Sequence, residues 1–228
     1  SVNPYFLSDS SYQVGQVSLN NTGISLLEIM TDIEDEARDT LNPDIGADEF
    51  TPPPTDAGLI AVLAPDVPFA AGLQPISAIL KNFGNAPLTA VTIEWMMNDT
   101  MQLSVNWTGN LPSGDTIPVL LGNYNFIVGQ GYDFKAWTSQ PNAVTDIFNP
   151  NDTTINLDVY AALSGIYTIG GVLPDFLTFN NAVFVLNQGG VIGQTTFNVR
   201  DGNYLEQIEI TETEGTDSVN TVTFQSEN

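Results

Sequence analysis

Chemistry in this chain falls to its carboxylates. Asp32, Glu34 and Asp35 stand one and two residues apart in an acidic run, with Asp44, Asp48 and Glu49 shortly downstream. Hard cations take six to eight oxygen ligands, and a loop with this spacing can supply several of them. Asp32, Glu34, Asp35, Asp44 and Asp48 are therefore a candidate calcium set. The run lacks the glycine and terminal Glu spacing of an EF-hand loop. A solvated acidic loop, or local pairing with Arg38, explains the same residues and is the preferred reading. Cysteine and histidine are absent. Ser/His/Asp and Cys/His nucleophile systems are excluded within the chain, as are zinc sites built from His or Cys.

The charge balance narrows the partners. The 228 residues carry 27 acids against four bases, a net charge of −23. Nucleic acid and anionic membrane both require clustered Lys or Arg, so neither is an expected partner. Acidic surfaces of this kind suit salty or calcium-rich surroundings, where cations screen the repulsion. No run of about 18 apolar residues is present to span a membrane, and no signal-peptide pattern opens the chain. Both ends are expected to be cut from something longer.

Three regions position these residues. Residues 1–50 are polar and irregular, and Thr51-Pro52-Pro53-Pro54-Thr55 follows as a stiff linker spanning 51–56. From 57 to 160 short apolar alternations recur. Ile76, Ala78 and Leu80 alternate, as do Val91, Ile93, Trp95 and Met97, then Met101, Leu103, Val105 and Trp107. Asn98-Asp99 between the last two runs predicts a hairpin over 91–107. Further strands are expected at 58–64, 116–121, 131–138 and 154–160. Seven short strands in about 100 residues predict an immunoglobulin-like sandwich. Trp95, Trp107 and Trp137 could stack sugars, but the strand phase of two of them favours core packing.

Residues 161–228 change character. Tyr167-Thr168-Ile169-Gly170-Gly171 reads as strand and turn. Asp175 then predicts an N-cap for a helix over about 176–187, with Phe176, Phe179, Val183 and Leu186 on one face and Gly189-Gly190 ending it. Strands are expected at 195–199, 205–210 and 219–224. One amphipathic helix followed by evenly spaced strands is how the capped start of a parallel solenoid should look.

These pieces resemble segments of large secreted Bacteroidota surface proteins. Gly165-Ile166-Tyr167-Thr168-Ile169-Gly170-Gly171, Pro174-Asp175-Phe176 and Phe197-Asn198-Val199-Arg200-Asp201-Gly202-Asn203-Tyr204 are similar to the opening of their right-handed parallel β-helix regions. Asp32-Ile33-Glu34, Arg38 and Pro43-Asp44-Ile45-Gly46-Ala47-Asp48-Glu49-Phe50 resemble the close of such a helix. Asp56-Ala57-Gly58 and Lys81-Asn82-Phe83-Gly84 resemble adhesin-type immunoglobulin modules of the CARDB kind. Asp followed by Thr or Ser, with acceptors Thr40, Thr100, Thr116, Thr153 and Ser218, resembles the O-glycosylation pattern of exported proteins of that phylum. Asp-Thr turns and caps account equally well for those sites.

The resemblance implies an all-β chain: a closing β-helix segment (1–50), a sandwich (57–160), and a β-helix cap with first coils (161–228). It implies a secreted or cell-surface adhesin or filament segment in a tandem-repeat glycoprotein, exported by type IX secretion. Its expected partners are neighbouring copies or modules, with glycans a further candidate, and calcium is the one candidate cofactor. The alternative is a carbohydrate-binding or polysaccharide lyase or hydrolase-like β-helix protein. Four scattered cations supply little for uronate chemistry, so no enzyme activity is expected in the chain.

Overall fold

A computed structural model describes residue 6, residue 14 and residues 16–227. The centre is a two-sheet sandwich. One sheet has the order β1-β2-β6, built from β1 (Ala57–Ala64), β2 (Gly72–Asn82) and β6 (Thr116–Phe126), all antiparallel. The other runs β3-β7-β8, with β3 (Leu88–Met97), β7 (Tyr132–Ser139) and β8 (Thr153–Val159). The two-residue β4 (Thr100–Met101) and β5 (Val105–Leu111) both pair with the free edge of β3. The first, second and fifth long strands thus face the third, fourth, sixth and seventh, the strand partition of an immunoglobulin-like sandwich.

Alternation explains the core. On β2, Ile76, Ala78 and Leu80 point inward, and on β3 Val91, Ile93, Trp95 and Met97 answer them. Tyr132, Phe134 and Ala136 fill the same layer from β7. Asn98 and Asp99 turn the β3–β4 hairpin with φ of 46° and 58°, the left-handed pair that a two-residue hairpin turn requires. Trp95 is buried and donates its indole N–H to Leu103 O at 2.9 Å, while Trp107 packs partly buried on the core. Trp137 faces outward, partly exposed, with the Lys135 ammonium 5.5 Å from its ring centre.

Three further strands form a separate parallel sheet in the order β11-β10-β9: β9 (Leu163–Ile169), β10 (Val191–Val199) and β11 (Val222–Ser226). Two of their register columns stack like on like. Tyr167, Phe197 and Phe224 form one column, and Thr168, Asn198 and Gln225 another. The Phe197 and Phe224 rings lie 4.7 Å apart and 16° from parallel, and Gln225 Nε2 donates to Asn198 Oδ1 at 2.9 Å. The helix α1 (Phe179–Gly189) joins β9 to β10 and buries Ala182, Val185 and Leu186 against the sheet.

Two local expectations differ. The helix begins at Phe179 with Thr178 as its cap, whose hydroxyl accepts from Asn181 N. Asp175 instead accepts from the amide and hydroxyl of Thr168, which draws Phe176 into a parallel bridge with Ile169. Residues 205–210 form no strand. Glu206 turns back to accept from the amides of Phe179 and Asn180, neutralising the positive end of the helix.

The sandwich runs into the parallel sheet almost without a linker. Only Tyr160, Ala161 and Ala162 separate β8 from β9, and both alanines are buried. Ala162 N donates to Phe69 O at 2.8 Å. Val128 of the β6–β7 turn packs into the second core, and Tyr160 meets Phe184 of α1 edge-on at 5.6 Å. Among the described residues of 1–50, a short 3₁₀ turn (Val17–Leu19) and isolated bridges replace strands. No described helix is long and apolar enough to cross a membrane.

Candidate functional site

The five carboxylates expected to bind calcium are not gathered into one ligand set. Asp32 spends Oδ1 on the amides of Glu34 and Glu36 and Oδ2 on Glu49 N. Asp44 accepts from Asn21 N and Phe50 N. These contacts tie the loop together, and Arg38 adds bonds to Gly46 O at 2.7 Å and to Glu49 at 3.4 Å. Asp35 sits exposed at a left-handed turn, φ 67°. Glu34 and Asp48 do share a cleft of about 350 Å³ with Glu36 and Glu49. Asp48 is buried there, and its pKa is raised first by burial and then by its carboxylate neighbours.

The five candidate acceptors Thr40, Thr100, Thr116, Thr153 and Ser218 are all exposed. Their preceding aspartates differ. Asp39 and Asp217 cap turns by accepting two backbone amides each, a local structural use of the motif. Asp152 is buried and belongs to something else.

Among the described residues, one group of three acids brings ligand-type oxygens within 4.8 Å of one another: Asp56, Asp146 and Asp152. They are 0%, 8% and 7% exposed. Asp56 ends the proline-rich linker and enters β1. Its Oδ2 accepts from Asn151 Nδ2 at 3.0 Å, and its main-chain oxygen accepts from Phe83 N and Gly84 N. Asp146 lies on the loop from β7 to β8, accepting from Ala57 N and Phe148 N. Asp152 closes the Asn149–Asn151 turn, and its main-chain oxygen accepts from Leu59 N and Thr138 N.

The loop is held against the sandwich at several points. Asn142 accepts from Thr89 N and Oγ1 and donates to Pro87 O. Thr138 Oγ1 donates to Ala57 O at 2.6 Å. Gly58 lets the Asn149–Asn151 turn approach: any Cβ there would strike the Asn151 carbonyl oxygen.

Three oxygens at this spot have no hydrogen-bond partner: Asp56 Oδ1, Asn151 Oδ1 and Asp152 Oδ1. Buried acceptors of this kind are costly unless something positive meets them. Burial pushes the Asp152 carboxyl up to about 8, with Asp146 and Asp56 adding repulsion. Burial raises Asp56 to about 7, against the opposing bond from Asn151 and with Asp146 adding to the rise. Asp146 is also raised by burial, despite the amides it accepts from. The donor set is oxygen only, the chemistry of a hard cation.

No protein-family model matches the chain, and no curated protein matches it. Solved structures do. A CARDB domain from Pyrococcus furiosus, solved in complex with di-metal ions, is 20% identical over 50% of this chain and 95% of its own, with a TM-score of 0.39. A putative beta-galactosidase from Bacteroides fragilis is 15% identical over 66% of this chain and 25% of its own, with a TM-score of 0.27. A beta-glucosidase 3B from Thermotoga neapolitana, solved with alpha-D-glucose, is 9% identical over 49% and 19%, with a TM-score of 0.25. The immunoglobulin-like assignment of the sandwich stands on its strand order and register.

Proposed function

We propose that the chain is a non-catalytic structural segment of a large extracellular surface or filament protein, exported as a glycoprotein, that extends by stacking on neighbouring copies or modules. The observation that carries this reading is the parallel sheet with its like-on-like columns. The Tyr167/Phe197/Phe224 and Thr168/Asn198/Gln225 columns place like side chains over one another, as a β-helix coil does, and β11 pairs on one side only among the described residues. A half-buried Phe224 and an unpaired β11 edge suit a further parallel strand. The short buried junction would carry load from that stack into the sandwich, which serves as a spacer. Residues 24–33 expose Ile24, Leu27 and Met30, a second apolar surface suited to a neighbouring module.

Sedimentation velocity tests the stacking. The expected result is reversible, concentration-dependent self-association that Phe224→Lys weakens. A strict monomer over the whole concentration range would overturn it, and turnover of a polysaccharide by the purified chain would overturn the non-catalytic reading.

A further inference from the structure

We infer that Asp56, Asp146, Asp152 and Asn151 bind one calcium ion, which clamps the end of the proline-rich linker and the start of β1 to the loop that feeds β8. Four side chains from two distant stretches converge here, and the group is more than a cluster of acids. Asn151 is a neutral residue, 3% exposed, whose Oδ1 is left without a partner beside Asp56. Asp56 Oδ1 and Asp152 Oδ1 are unpartnered in the same place. A cation at this spot would supply the positive partner these buried oxygens lack, and it would offset the mutual repulsion of three carboxylates whose oxygens lie within 4.8 Å of one another.

The donor chemistry selects the ion. There is no nitrogen or sulfur ligand, which disfavours zinc and copper. Magnesium keeps most of its waters and takes one or two carboxylates, whereas calcium accepts an irregular shell of six to eight oxygens. Three carboxylates, each able to bind through one or two oxygens, and one amide oxygen fit the second pattern. Both Asp146 oxygens and Asp56 Oδ2 are already fixed by Ala57 N, Phe148 N and Asn151 Nδ2, so these two ligands are held in place beforehand.

Bound calcium would fasten the linker entrance to the sandwich, because Asp56 is the first residue after Thr51–Thr55 and Asp152 the last before β8. The test uses the whole chain, stripped with a chelator and titrated with calcium chloride or magnesium chloride while thermal unfolding is followed. Calcium at a hundredfold excess over Kd is expected to raise Tm by about 5–10 °C, with magnesium far less effective. Asp152→Asn and Asp56→Asn should abolish the calcium response while melting at or above the wild type in chelator, since each removes repulsion. Asp48→Asn, in the other acidic cleft, should keep the full response. A wild-type Tm indifferent to calcium, or a response that survives both Asp152→Asn and Asp56→Asn, would overturn the site. Loss of the response only in Asp48→Asn would move it to the cleft and overturn it equally.

Discussion

Replacing Phe197 by alanine removes the middle ring of the aromatic column. Phe197 is fully buried, stacked on Phe224 at 4.7 Å and flanked by Tyr167 and Phe176 at 5.9 Å. A buried Phe→Ala change costs about 3–5 kcal/mol, and a ring enclosed on every side belongs in the middle of that range. For a chain of this size, about 4 kcal/mol lowers Tm by roughly 8–16 °C. Phe224 lies on the edge strand and is only partly covered, so Phe224→Ala should cost roughly half as much. All three tryptophans, Trp95, Trp107 and Trp137, sit in the sandwich, so their fluorescence reports that unit alone. With Val128 and Tyr160 shared between the two cores, the tryptophan transition should fall together with the circular dichroism transition. Equal losses for Phe197→Ala and Phe224→Ala would refute the stacking argument. An unmoved tryptophan transition in Phe197→Ala would refute the coupling of the two units.

In chelator, the protein should lose stability as pH rises from about 5 to 8. Asp56 and Asp152 hold protons more tightly folded, at about 7 and about 8, than unfolded, so their contribution is complete below about pH 4 and vanishes through those values. Each group contributes a slope of at most about 1.4 kcal/mol per pH unit, and urea melts that are flat or rising would contradict it. With saturating calcium the trend should flatten or reverse, because the metal requires the ionised carboxylates. Gly58→Ala should cost about 1–3 kcal/mol by urea denaturation and weaken the calcium response, because its Cβ strikes the Asn151 carbonyl and displaces the turn that carries Asn151 and Asp152. Intact-mass measurement on natively purified protein should find glycans at some of Thr40, Thr100, Thr116, Thr153 and Ser218, and an unmodified mass would remove that proposal.

Much of the sandwich is legible in the sequence because β2, β3 and β7 carry buried residues at a period of two. Ile76, Ala78 and Leu80 alternate with outward residues, and Asn98-Asp99 marks the hairpin turn by chemistry alone. The helix start is not legible in this way. Phe176 falls in phase with Phe179 and Val183, so periodicity places it on the helix, yet the bonds from Thr168 to Asp175 hold it in the sheet. Residues 205–210 carry apolar residues at strand spacing, but Glu206 is committed to the amides of Phe179 and Asn180, and Asn187 bonds to Glu209 O.

The acidic site was hidden for a different reason. Carboxylates are locally dense at Asp32–Glu36, where density goes with exposure. The buried group is assembled from Asp56 and from Asp146 and Asp152, some 90 residues further on. Its one local signal is the tight Asp56-Ala57-Gly58 entry after the prolines, where Gly58 admits another backbone. Nothing in that tripeptide names its distant partners.

The proposed spacer role requires a rigid connection between sandwich and parallel sheet. The chain has no cysteine, so spin labels can be attached to Thr108→Cys in β5 and Thr223→Cys in β11, both at exposed positions. Pulsed electron resonance should return a single narrow distance distribution between them, consistent with the buried Ala161-Ala162 junction and the Phe69 contact. A broad or multiple distribution would mean that the two units swing freely, and would contradict the account.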